Sequence, residues 1–312
     1  MTPYRSKALR VIALVARMLL GVFFVVSAVA KLVDIDRFEI YVYSYNLLPL
    51  GLSQVTARLV IVAELLLGAG LMANVWHRLV NICTVLALAG FTLFLGYAVL
   101  IGRTDSCQCM GSLLEIDPLH SILKNALLLL WTVFAMGARP WSWRPRWFVW
   151  LPVALAPLVT VFILSAPDVW LFGRADEVFN PEKLSEAMAP EGDLTELHLD
   201  EGRHVVAFLT PGCRFCKMTD QKLSSISQRH HLDEGDIIYL MLGNDSTQTA
   251  LQLDSTTYQR KAYIVPKMTF LYITYGQRPL IFLMDEGVVK ATCHYRNISE
   301  SQIKEFLLYE EN

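Results

Sequence analysis

The chain has 312 residues, of which 54% are hydrophobic and only 18% charged, with a net charge of -2. That apolarity excludes an ordinary soluble protein, and the near-neutral balance gives no basis for nucleic-acid binding. The long apolar runs crowd into residues 1–170 while 171–312 read as globular, so two domains are expected.

The N-terminus is basic and then apolar from Val11 to Val33, too long for a signal peptide and without a small-residue cleavage site before Lys31. About 20 apolar residues span a bilayer. Runs of that kind occupy Val11–Val33, Val55–Trp76, Leu79–Ile101, Leu119–Gly137 and Phe148–Ser165. One set of connecting segments carries Arg5, Lys7, Arg10, His77, Arg78, Arg139, Arg144 and Arg146 with no acid. The other set carries Asp34, Asp36, Glu39, Asp105, Glu115 and Asp117 against Arg37 and Arg103. Positive charge stays inside, so the N-terminus is expected in the cytoplasm and the C-terminal domain on the outer side. The aromatic stretch Phe38–Leu48, and Trp141, Trp143 and Trp147, are expected as interfacial belts.

Ionisable residues within spans are costly and usually have a role. Arg17, Lys31, Glu64 and Lys124 are of this kind. Glu64 and Lys124 lie within about 6 Å of each other in depth, at 1.5 Å per helical residue, so an ion pair between them is expected, with a cofactor contact as the alternative. Lys31, near the outer surface, is expected to snorkel. Cys83 within the third span and Cys293 on a late strand are expected as buried hydrophobes.

An outer loop carries Cys107-Gln108-Cys109-Met110-Gly111. A disulfide across so small a ring is strained and therefore reducible. The alternatives are a soft Cu(I) site of Cys107, Cys109 and Met110, or a loop staple. A Pro- and Gly-bearing linker, 171–195, with one short helix at Pro181–Met188, follows the fifth span.

The apolar run His204–Leu209 then feeds Thr210-Pro211-Gly212-Cys213-Arg214-Phe215-Cys216-Lys217 and a helical stretch. A strand entering a helix that opens with C-x-x-C is a redox signature. No second ligand pair of the kind zinc requires lies nearby. Cys213 falls at a helix N-terminus, which favours a thiolate, and the neighbouring Arg214 adds to this. A stabilised thiolate makes the disulfide easier to reduce, which tilts the pair towards accepting electrons. Beyond it the sequence reads as strand 236–242, helices at 254–262 and 266–273, a hairpin of 280–284 and 288–294, and a closing helix 299–309.

Over about 193–312 the chain resembles the thioredoxin superfamily. The matching residues are Phe208, Cys213-Arg-Phe-Cys216-Lys217 and Arg278-Pro279-Leu280-Ile281-Phe282-Leu283 with Gly287. The resemblance implies Cys213 as attacking thiol, Cys216 as resolving thiol, and Pro279 as a cis-proline that docks substrate peptide beside Arg278 and Arg214. Gly212 stands where the family usually has Trp, and Ala207 where thioredoxin has a buried Asp. Proton removal from Cys216 therefore needs another base or water.

The first domain resembles the DoxX/MauE family of four-helix membrane proteins. The residues that carry this are Arg17-Met-Leu-Leu-Gly21, Ser27-Ala-Val-Ala-Lys31, Glu64-Leu-Leu-Leu-Gly68, Cys107-Gln-Cys109-Met-Gly111 and Leu123-Lys124-Asn125. The C-x-C brings it nearer MauE. The resemblance implies disulfide chemistry in periplasmic proteins and, through wider relatives, a quinone, for which Glu64, Lys124, Arg17 and Lys31 are the contact residues expected.

The expected architecture is a membrane α-helical bundle followed by a soluble α/β thioredoxin-like domain. Residues 1–138 are the four-helix DoxX/MauE-like domain, 139–170 the fifth transmembrane helix, 171–195 a linker and 196–312 the periplasmic domain. The expected activity is thiol–disulfide oxidoreduction in a bacterial inner membrane. Electrons would pass from periplasmic cysteine-containing proteins through Cys213–Cys216 and Cys107–Cys109 to a quinone, with no metal expected. A reductive pathway in the opposite direction and the copper-binding reading remain the alternatives.

Overall fold

The computed structural model describes residues 7–102, 118–136, 147–171, 176–233, 235–243 and 262–308. The chain divides into two compact units, one of residues 1–41 and 55–166, the other of 42–54 and 167–312.

The first unit is helical. Its helices are α1 (Lys7–Val33), α2 (Ile35–Tyr43, ending as the chain leaves the unit), α3 (Leu50–Met72, entering it), α4 (His77–Leu100), α5 (Pro118–Met136) and α6 (Trp147–Leu164). Helices α1, α3, α4 and α5 are long and apolar enough to cross a membrane. The expected fifth span forms α6, 18 residues with Pro152 and Pro157 inside. At 1.5 Å per residue it reaches about 27 Å, slightly short of a hydrocarbon core of about 30 Å.

α1 and α3 meet at glycines. A Cβ on Gly21 would lie 2.8 Å from the Gly68 carbonyl oxygen, and one on Gly68 would lie 2.8 Å from that of Gly21. Small residues permit this close approach in membrane bundles. At the other end of α3, Arg58 is buried and pairs with Glu39 at 2.5 Å. Its Nη2 donates to the Ala166 carbonyl at 2.9 Å and its Nε to Ser165, closing the carbonyls that follow α6.

The second unit is built on a five-stranded mixed sheet. The strands are β1 (Arg203–Leu209), β2 (Ile237–Leu242), β3 (Ala262–Val265), β4 (Leu280–Asp285) and β5 (Val288–Cys293), in the order β3-β2-β1-β4-β5. β1 runs parallel to β2 and antiparallel to β4. Alternation along β1 sends Val205, Ala207 and Leu209 to one face and Val206 and Phe208 to the other. The first face is covered by α9 (Arg214–His230) and α11 (Glu300–Leu308). The second is covered by α8 (Pro181–Met188) and α10 (Lys267–Thr274). A one-turn helix, α7 (Asp168–Leu171), begins the unit's second segment.

Three expectations change here. The region 171–195 is not only a linker: Leu184, Ala187 and Leu194 join the core under the sheet. Ala262–Val265 is a strand, because its apolar and β-branched residues pair with the open edge of β2. The expected helix at 254–262 otherwise falls outside the described residues. The third concerns the aromatic stretch after α1, which up to Tyr45 supplies core residues and not a belt, while Leu47 beyond it is exposed. Phe38, Ile40, Tyr41, Tyr43 and Tyr45 are all at most 7% exposed. Tyr41 packs edge-on against Phe94 in the first unit, while Tyr43 and Leu50 belong to the core of the second.

The segment 42–54 is held there by polar contacts as well. Arg229 donates to the Leu48 carbonyl at 2.5 Å, Leu50 N–H donates to Glu300 at 2.9 Å, and Asn46 donates to Gln228 at 2.8 Å. Glu300 also receives Arg229 at 3.2 Å and His230 at 3.0 Å.

Candidate functional site

β1 delivers the chain to a turn at Thr210-Pro211-Gly212. Gly212 takes φ +74°, the left-handed region that a side chain resists, and nothing lies within 4 Å of where its Cβ would be. The requirement for glycine is thus conformational. Cys213 follows as the N-cap of α9. Its N–H donates to the Thr210 carbonyl at 3.4 Å, and its Sγ accepts the Cys216 N–H at 3.2 Å. A sulfur in this position does what a Ser or Asp oxygen does at other helix starts.

The two sulfurs have different surroundings. Cys213 is partly exposed, whereas Cys216 is only 2% exposed and sits 3.6 Å from Thr210 Oγ1. Burial pushes the Cys216 thiol up to about 12, the Cys213 contact adds to this, and Thr210 opposes it. Both cysteines are free thiols.

The peptide Arg278–Pro279 is cis and immediately precedes β4. Because Leu280 pairs with Phe208 across antiparallel strands, Pro279 lies at the sheet end where β1 leads into Cys213. Phe215 is half exposed, with its ring 5.6 Å from that of the buried Tyr295. Arg214 is solvent-exposed on the first turn of α9.

At Ala207 the sheet carries no acid. Its partner across the parallel pair is Tyr239, fully buried, whose hydroxyl is pushed above its ordinary range by desolvation. The nearest buried carboxylate along the helix is Asp220, 6% exposed and one turn beyond Cys216. Residues four apart share a helix face, with Cβ atoms about 5–6 Å apart. Lys222 is also buried, donates to the Tyr295 carbonyl at 3.1 Å and lies 5.2 Å from that ring. Neither residue was singled out in the sequence. The i, i+4 spacing of Cys216 and Asp220 was the available signal.

In the helical unit the structure rearranges the expected pairing. Glu64 is hydrogen-bonded by Lys31, and Lys124 acts on it only as a nearby charge. Lys31 is 1% exposed, and its Nζ reaches Glu64 Oε1 at 2.7 Å, Oε2 at 2.8 Å and Ser27 Oγ at 2.8 Å. Lys31 therefore does not snorkel, because the close α1–α3 contact gives it a carboxylate inside the bundle. Lys124 is part-exposed and sits 5.8 Å from the Phe23 ring. Arg17 stands apart from all three. It is 14 positions before Lys31 on α1, about 21 Å along the axis.

Cys107, Cys109 and Met110 lie outside the described residues, as do Trp141 and Trp143. Among the described residues no group of three or more His, Cys, Asp or Glu is placed to hold a metal ion. Cys83 is half-buried within α4, and Cys293 is buried against Gln302 at 3.9 Å.

These features define a membrane protein in which an apolar helical unit is joined to an α/β unit bearing a C-x-x-C at a helix N-terminus. Residues 9–138, most of the helical unit, match the family described as "Methylamine utilisation protein MauE". The chain is 26% identical to Protein TlpB of Flavobacterium psychrophilum, over 69% of this chain and 72% of that protein. No solved structure matches.

Proposed function

We propose that the protein is a membrane thiol–disulfide oxidoreductase whose α/β unit is thioredoxin-like and periplasmic. The observation that carries this is the asymmetry of the C-x-x-C: Cys213 is the partly exposed N-cap of α9, and Cys216 is buried one turn inside. The strand order, the cis Arg278–Pro279 at the same sheet end and the likeness to Protein TlpB support it. Cys213 is the attacking thiol, Cys216 the resolving thiol, and Pro279 with Arg278 and Arg214 the platform for substrate peptide.

In the disulfide-forming direction, a substrate thiolate attacks Sγ of Cys213 in the oxidised pair. The Cys213–Cys216 bond breaks, and Cys216 leaves with the electron pair and takes a proton. The second substrate thiolate then attacks the mixed disulfide and releases Cys213, leaving the substrate oxidised and the pair reduced by two electrons. Regeneration is the same exchange in reverse order against a Cys107–Cys109 disulfide, with both pairs on the outer side. Asp220 is the base that the missing acid at position 207 calls for.

A quinone, when bound, supplies the final two-electron acceptor. The residues fit such a group unevenly. Lys31 spends its three donors on Glu64 and Ser27, so the quinone contact falls to Lys124. Glu64 and Lys31 act as a structural pair behind it.

Trapping tests the relay. In Cys216→Ser or Cys109→Ser protein, a mixed disulfide between residue 213 and the 107/109 pair accumulates. Its absence in repeated trapping from both variants refutes the exchange.

One observation favours the opposite direction, in which periplasmic proteins are kept reduced. A thiol raised to about 12 is a poor leaving group, which makes the Cys213–Cys216 disulfide slow to open. The steady-state redox state of the pair in cells separates the two: mostly oxidised for the oxidase, mostly reduced for the reductant.

A further inference from the structure

Arg17, a buried cation of the bundle besides Lys31 and Arg58, has surroundings of its own. Its side chain is 0% exposed. Nε donates to the Leu71 carbonyl at 3.0 Å, in the last turn of α3, and Nη1 donates to His77 Nδ1, on the first residue of α4. Nη2 is buried with no hydrogen-bond partner, and no acidic side chain forms an ion pair with Arg17 among the described residues.

The contact fixes the ring proton of His77. A guanidinium has no acceptor, so His77 Nδ1 must accept and the ring proton sits on Nε2. Nε2 faces the Asn81 amide at 3.5 Å. Asn81 Oδ1 has no partner as placed. Turning the amide brings Oδ1 to the ring N–H and leaves Nδ2 in the position that Oδ1 held. What cannot be resolved internally is Arg17 Nη2 and its positive charge.

That charge lies at a second positive feature. α4 is 24 residues long, and its cap residue Trp76, in the left-handed region, makes no side-chain hydrogen bond to the first turn. A helix start of this kind carries about half a positive charge. The guanidinium is planar and rigid and already touches residue 77, so Nη2 lies at the same helix end. The negative end of α3 meets Nε through the Leu71 carbonyl; the donor left over, Nη2, is what an anion at the start of α4 would satisfy.

We propose that Arg17 and the N-terminus of α4 bind one phosphate-type oxyanion at the end of the bundle opposite Lys31 and Glu64. Arg17 Nη2 donates to it, and the first-turn N–H groups of α4 complete its shell. A phospholipid headgroup and a free phosphate share this chemistry. The site needs neither the quinone nor the thiol exchange, so it stands or falls independently of the redox reading.

The test uses the full chain, purified in neutral detergent. Its thermal unfolding midpoint is followed with inorganic phosphate, with chloride at equal ionic strength as the control for screening. It is followed again in nanodiscs of phosphatidylcholine with and without phosphatidylglycerol. The midpoint is expected to rise by several degrees. A rise with phosphate identifies a free oxyanion as sufficient, and a rise with phosphatidylglycerol alone identifies the lipid. Arg17→Gln abolishes the rise, while Lys7→Gln, a basic side chain on α1 away from the site, retains it. If Arg17→Gln yields no folded protein, Arg17→Lys decides: at least tenfold weaker anion dependence supports the site. No rise for the wild type in either arm, or an unchanged response in the decisive Arg17 variant, overturns it.

Discussion

Tyr43 offers the sharpest test of how the second unit is assembled. It is remote in sequence from the sheet yet fully buried in the core formed by Ala207, Leu223, Tyr239 and Ile303. Replacing a buried aromatic by Ala costs about 3–5 kcal/mol. At about 1.4 kcal/mol per tenfold change, the open form of the unit becomes roughly 150- to 5,000-fold more populated. The hydroxyl faces Arg229 and Glu300 but meets neither in hydrogen-bond geometry, so it adds little. Tyr43→Phe should therefore be near neutral or slightly stabilising. Cys293, 3% exposed in the same core, reports opening directly. In a chain whose other cysteines are replaced by Ser, its alkylation rate follows the open population while reclosing outpaces labelling. The expected order is Tyr43→Phe equal to wild type and Tyr43→Ala faster by at least 100-fold. A Tyr43→Ala rate within threefold of wild type, or equal damage from both variants, refutes the assignment of residue 43 to this core.

Other outcomes follow from the same structure. Glu64→Gln strands the Lys31 charge and should cost about 3–5 kcal/mol; the Lys31→Met/Glu64→Leu double variant should recover most of the folded yield on size-exclusion chromatography. Gly68→Val places a side chain 2.8 Å from the Gly21 carbonyl oxygen, so α1 and α3 must separate, and the folded yield of the bundle should collapse where Gly90→Val does not. For Cys216 the sign is fixed by its raised value, about 12 against an ordinary 9.0. The folded state holds the proton that the unfolded state releases, so stability of the reduced protein is complete below about pH 9 and declines towards pH 12. Denaturation midpoints across that range should fall more steeply for wild type than for Cys216→Ala.

The C-x-x-C site was legible because its determinants are local. A β-run, a Gly turn and a helix start lie within about twenty consecutive residues, and the apolar runs of α1, α3, α4 and α5 are equally self-contained. The pairing of Glu64 was not legible, because depth along a span says nothing about azimuth. Ser27 and Lys31, one helical turn apart, held the clue that Lys31 faces inward. Arg58 and Glu39 were missed because neither looks buried until the carbonyls after α6 are brought to Arg58. The aromatic stretch Phe38–Tyr45 has the composition of an interfacial belt and the burial of a core. Only a partner nearly two hundred residues away makes the distinction.

That long reach also sets an order of events. Leu50 and Glu300 are 250 residues apart. At 5–20 residues per second, the ribosome takes about 12–50 s to span that distance. Throughout that interval Tyr43 and Leu50 have been made, and α11, whose Ile303 shares their core, has not. The sheet and α9 are made before α11, and the first-made stretch of the unit gains its Glu300 contacts only when α11 emerges. A chain that stops short of Glu300 keeps both cysteines of the C-x-x-C and loses the clasp, so synthesis past residue 300 is the step that closes the second unit.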